Sequence, residues 1–135
     1  MNPLLQAGFA TWFSAMAAAA ATACPLPTAQ AGEQRLEQGT LQLVWRAEPE
    51  RIVVGRPFAL MLHACPANAR LLRVDATMPE HRHGMNYRPS LKALGDGRWR
   101  AEGLLWHMAG RWELAFEVDS GTGDRTWLRQ SVSIP

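Results

Sequence analysis

The chain is poor in several things at once. It has two cysteines, one tyrosine, and a single lysine against thirteen arginines. Its first charged side chain is Glu33, so residues 1–32 carry no charge. Each scarcity excludes something. Two cysteines cannot build the multi-disulfide framework of a small secreted scaffold. A net charge of +2, with acidic residues interspersed among the arginines, lacks the basic footprint of a nucleic-acid binder. At 135 residues the chain holds one domain at most, too little for a two-domain enzyme. Catalytic constellations are absent too. Ser90, Ser120, Ser131 and Ser133 lie outside any nucleophile-elbow context, and no phosphate-cradling loop occurs. The sequence therefore does not read as an enzyme.

The uncharged start is apolar, contains the Ala17–Ala21 run, and ends in Ala29-Gln30-Ala31 before Gly32. This is the pattern of a secretory signal peptide over residues 1–31, cleaved at an A-x-A site. Ala21-Thr22-Ala23-Cys24 also resembles a bacterial lipobox with Cys24 as the lipidated residue, although alanine stands where leucine is usual. Alanine is a weak membrane residue, and prolines follow at 25 and 27, which disfavours an uncleaved transmembrane anchor. Every one of these readings exports the domain, to the periplasm, with a lipid anchor if Cys24 is acylated. Cleavage after Ala31, or lipidation of Cys24, leaves Cys65 unpaired. The fold is then expected to stand without an internal disulfide unless the leader is retained, with Cys65 a small buried hydrophobe.

Residues 32–39 are polar and read as a tether. From residue 40 to residue 135 the hydrophobic period is two. Leu41, Leu43 and Trp45 alternate with polar residues, as do Phe58, Leu60 and Leu62. The same holds for Leu72, Val74, Ala76 and Met78, and for Trp112, Leu114, Phe116 and Val118, while Leu128, Val132 and Ile134 share one face. Turn signals separate the runs, the strongest being Asp96-Gly97 between Leu91–Leu94 and Arg98–Leu105. No window is a convincing amphipathic helix. About seven short strands in this length predict an all-β fold, an immunoglobulin-like antiparallel β-sandwich. The tryptophans at 45, 99, 106, 112 and 127 are expected to fill its core.

Residues 79–90 break the alternation and read as a long loop, of the kind that is usually functional in compact domains. Two clusters of soft and borderline ligands stand out. One is Met78, His81, His83 and Met85; the other is His107-Met108, at the turn before the strand Arg111–Val118. In an extended segment His81 and His83 point to one side, and Gly84 frees the backbone to bring Met85 round. Loops gather at the two ends of a sandwich, so both clusters are expected to meet there. Thioether sulfur is a soft ligand that selects Cu(I), and imidazole accepts copper in either state. Zinc would usually be met by thiolate or carboxylate as well. The candidate ligands are Met78, His81, His83, Met85, His107 and Met108, and the candidate ion is copper, Cu(I) before Cu(II). Trp106 is placed to shield the site and Tyr87 to close the loop. Glu80, Met61 and His63 read as structural.

Met78-Pro79-Glu80-His81-Arg82-His83-Gly84-Met85, with His107-Met108-Ala109-Gly110-Arg111-Trp112 further on, resembles the YtkA-like domain, also grouped with FixH-like proteins. The resemblance covers about residues 40–134 and rests on the MPxHxHGM loop and the HMxGxW turn. It implies an exported immunoglobulin-like sandwich that handles metal, chiefly copper, outside the cytoplasm, with the same six residues as ligands. FixH proper also carries a transmembrane helix, for which the only candidate in this chain is the leader. A partial likeness to PCu(A)C periplasmic copper chaperones lies in Met85, a gap of 21 residues and then His107-Met108. The residue between His and Met is missing here, and Val74 stands where those chaperones place an upstream His or Met. The expected activity is copper binding and delivery to a periplasmic or membrane cuproprotein acceptor. The competing expectation is a non-metal accessory module that docks on a membrane or redox complex.

Overall fold

Alternation of apolar and polar residues forces strands to bury one face, and the computed structural model resolves them as two antiparallel sheets packed face to face. It describes residues 24, 26, 27 and 29–135. The leader reading for residues 1–23 lies outside the described residues. No described helix is long and apolar enough to cross a membrane.

Nine strands form among the described residues: β1 (Gln34–Gln38), β2 (Leu41–Glu48), β3 (Pro57–Cys65), β4 (Arg70–Met78), β5 (His83–Gly84), β6 (Ser90–Gly95), β7 (Arg98–Leu105), β8 (Gly110–Asp119) and β9 (Arg125–Ile134). One sheet has the order β1-β2-β3-β7-β6 and the other β5-β4-β8-β9. Leaving out β1 and the two-residue β5, this is the order of an immunoglobulin constant-type sandwich, four strands facing three. The expected all-β sandwich is thus found, with nine strands rather than about seven.

The two extra strands have physical reasons. β1 arises within residues 32–39, the stretch read as a tether, and pairs with β2 from Gln34↔Trp45 to Gln38↔Leu41. Only Leu36 in it packs against the core, so it shows no alternation to read. A short polar strand of this kind suits a sheet edge. β5 forms because the chain doubles back on the end of β4.

The inner faces supply the core. Leu43, Leu60, Ala76, Leu104, Trp112, Leu114, Phe116 and Val118 are fully buried. Burying each large apolar side chain contributes about 1.5–3 kcal/mol. Trp45 meets Phe116 across the sandwich at 6.1 Å and donates its indole N–H to Gln130, which in turn donates to Gln34. Trp99 and Trp127 are only half-buried, and Trp127 lies between the Arg73 and Arg129 guanidinium groups. Trp99 still packs against the core from its edge, whereas Trp127 does not join it, contrary to expectation. In β4 a bulge between Leu71 and Arg73 shifts the register. Leu71, not Leu72, joins Val74, Ala76 and Met78 inside.

Cys65 ends β3 and is 2% exposed. It is bonded to Cys24, with a Cα separation of 5.5 Å. This corrects the expectation of an unpaired Cys65.

Candidate functional site

The two histidine clusters lie at one end of the sandwich. β4 ends at Met78, whose side chain is wholly buried. A turn follows, in which the His81 N–H donates to the Met78 carbonyl at 3.1 Å. Arg82 carries the reversal at φ +55°, an uncommon conformation for a non-glycine residue. The chain then returns as β5, with His83 opposite Met78 and Gly84 opposite Thr77. The Met85 N–H donates to the Ala76 carbonyl at 3.2 Å.

Two details differ from expectation here. Gly84 does not adopt a positive φ; Arg82 does. Gly84 serves instead for close approach, because a Cβ there would lie 3.1 Å from the Ala76 carbonyl oxygen. His81 and His83 are likewise neighbours across a turn, not along an extended strand.

His107 comes from the connection between β7 and β8. Gly110 opens β8 at φ +124°, and a Cβ on it would lie 2.9 Å from the Met78 methyl carbon. The glycine thus lets the two loops close against each other. Their imidazoles form a row. The His81 and His83 ring centres are 5.8 Å apart at 29°, and those of His83 and His107 are 5.0 Å apart at 35°. Trp112 underlies the row, edge-to-face with His83 at 5.9 Å and with His107 at 5.6 Å. Trp106 stacks behind it at 5.2 Å, with the two indole planes 3° apart. The Trp112 N–H donates to the Met108 carbonyl at 3.0 Å, which ties the β7–β8 loop to its own floor. Arg111 pairs with Glu80 at 3.1 Å and ties the first loop to β8.

The sequence nominated all three of these histidines. It did not nominate Trp112, which touches two of them; Trp106, expected to shield the site, lies one layer deeper. The signal for Trp112 was its place in the HMxGxW turn. Of the methionines, Met78 belongs to the core, Met85 is half-buried against it and Met108 is 36% exposed. Tyr87 is 45% exposed and so does not close the loop.

His83 Nδ1 is buried and has no hydrogen-bond partner, which is uncommon for a buried polar atom. Among the described residues no three or more His, Cys, Asp or Glu side chains are arranged to hold a metal ion. The rings are inclined to one another at 29° and 35°. Rotation about χ2, a broad torsion for histidine, re-aims the nitrogens of such a ring, and His81 and His107 are exposed. The spacing already suits a shared ion. An imidazole nitrogen binds metal at about 2.0–2.1 Å and the ring centre lies about 1.1 Å behind it, so two ligands at a tetrahedral angle hold ring centres roughly 5 Å apart.

Two surface clefts of about 400 and 380 Å³ lie elsewhere, one beside Trp45, Glu50 and Gln130, the other beside Arg73, Arg88 and Glu117. The histidine row is thus a surface array, separate from both. Compared with known proteins, the chain matches no family model, no curated protein and no solved structure.

Proposed function

We propose that the protein is an exported, periplasmic copper-binding protein of the YtkA-like and FixH-like kind, which takes up Cu(I) and delivers it to a cuproprotein acceptor. His81, His83 and His107 supply imidazole, and Met78, Met85 and Met108 are the thioether candidates beside them. The observation that carries this reading is the meeting of His83 and His107, 24 positions apart in sequence, at 5.0 Å between ring centres. The unpartnered Nδ1 of His83 adds a donor that a metal would satisfy. Copper ranks first because the polar donors in the row are imidazoles with methionines adjacent in sequence, and Glu80, the carboxylate of the same loop, is engaged by Arg111. A surface position with exchangeable ligands suits transfer better than storage.

The test is titration of the protein with Cu(I) against a competing chelator. Tight stoichiometric binding is expected, and its loss in a His81/His83/His107 triple alanine variant. No binding, or binding unchanged in that variant, overturns the proposal. One observation favours a second reading: the imidazoles stack as a row without a preformed ligand set. In that reading the array is the face of a non-metal module that docks on a membrane or redox complex. It predicts no metal binding and capture of a partner complex that the triple variant abolishes.

A further inference from the structure

The sequence offers Cys24 two fates that remove it from the folded domain's thiol chemistry: loss with a leader cut after Ala31, or acylation at a lipobox. The structure assigns it a third. Cys24 is half-buried, and its sulfur is bonded to that of Cys65 at the end of β3. Pro27 and Gln30, which follow it, are hydrogen-bonded to the domain. The Pro27 carbonyl accepts from Arg35 of β1 at 2.9 Å. The Gln30 N–H donates to the Glu33 carboxylate at 2.7 Å, and the Glu33 N–H donates to the Gln30 carbonyl at 3.0 Å, forming the turn that leads into β1.

We propose that the leader is cleaved after Ala23, and that Cys24 becomes the first residue of the exported protein, with a free amine and a sulfur reserved for Cys65. Ala21-Thr22-Ala23 is itself an A-x-A site. Cutting there keeps Cys24 and the Pro27 and Gln30 contacts, whereas cutting after Ala31 discards them and leaves a buried thiol at Cys65. The disulfide and the lipid anchor exclude each other, because both need the one sulfur atom of Cys24. Bond formation follows thiol–disulfide exchange: the two cysteine thiols lose two protons and two electrons, and a disulfide-bearing oxidant of the exported compartment leaves as its dithiol. The inference rests on the export part of the proposed function and not on copper.

The experiment uses the full chain, leader included, exported by a bacterial host and purified from the envelope without reductant. Intact mass and N-terminal sequencing are expected to give residues 24–135, two hydrogens lighter than the dithiol. No iodoacetamide should be taken up before reduction, and two alkyl groups afterwards. In Cys65→Ser the Cys24 thiol is expected to react with iodoacetamide without reduction. An exported protein beginning at Gly32, a diacylglycerol thioether on Cys24, or a Cys24 that stays unreactive in Cys65→Ser would overturn the inference while leaving export intact. An unprocessed cytoplasmic chain would overturn both. The copper titration stands apart from every one of these outcomes.

Discussion

His83 is the residue on which the proposed site turns. It faces His81, His107 and Trp112, and one of its nitrogens is buried without a partner. His83→Ala is expected to weaken Cu(I) binding at least roughly tenfold, the lower end of the range for perturbing a metal's ligand environment. His63→Ala is the control, because His63 lies on β3, paired with Val44 and Arg98 in the five-stranded sheet and not in the sheet that carries β4, β5 and β8. Chelator competition on the two variants checks the difference. The sequence made His81, His83 and His107 legible because histidine beside methionine has little reason to recur in a solvated loop. It did not make Trp112 legible as a site residue. Trp112 sits in strict alternation with Leu114, Phe116 and Val118 and is wholly buried, so it reads as core, and it is core. Its contact with His83 is set by how one loop folds over the next, which no local spacing records.

At the scale of elements, the hairpins were the most legible part of the fold and the edges the least. Asp96-Gly97 forms the expected two-residue turn, with φ of +53° and +74°, as a type I′ hairpin requires. The turn is also docked on the neighbouring strand. The Ala64 N–H donates to the Gly97 carbonyl at 2.8 Å, and a Cβ on Gly97 would lie 2.4 Å from the Ala64 carbonyl oxygen. Gly97→Ala therefore meets both a disfavoured φ and a backbone clash, and is expected to cost about 1–3 kcal/mol in urea unfolding. β1 escaped notice because one apolar residue in five shows no period. The phase of β4 was misread because a bulge changes which leucine turns inward, and bulges leave no mark in composition. The β8–β9 turn carries a pH signature. The backbone N–H groups of Gly121 and then Gly123 donate to the Asp119 carboxylate and hold its pKa below the usual value. A lowered pKa means that the folded state favours the ionised form. The associated stability is present above the unfolded-state pKa and is lost as pH falls through the folded one. Asp119→Asn is expected to flatten this acid limb, as followed by unfolding midpoints from neutral pH down through the carboxylate range.

For the molecule as a whole, the sandwich is held by its apolar inner faces, and one covalent link ties Cys24 to the end of β3. The two cysteines are 41 residues apart in sequence, and closing a loop of that length in the unfolded chain corresponds to about 4 kcal/mol in the chain-entropy account. Reduction, or the Cys24→Ser/Cys65→Ser double variant, is expected to lower unfolding free energy by up to about that amount. Denaturant curves with and without reductant check it. The link was illegible in the sequence because the local pattern around Cys24 competes with it. An apolar leader with A-x-A sites assigns Cys24 to a segment that is discarded or lipidated, and only the bond from Cys24 to Cys65 and the contact of Pro27 with β1 argue otherwise.

The stacked indoles beneath the histidine row give the protein an optical reporter of its own. Trp112 is held within ring contact of two imidazoles and against Trp106. An ion captured by those imidazoles is therefore expected to quench its emission without any added label. Subtracting a Trp112→Phe titration from the native one isolates that component from the other tryptophans. Occupancy of the surface array is then readable from inside the sandwich, as light.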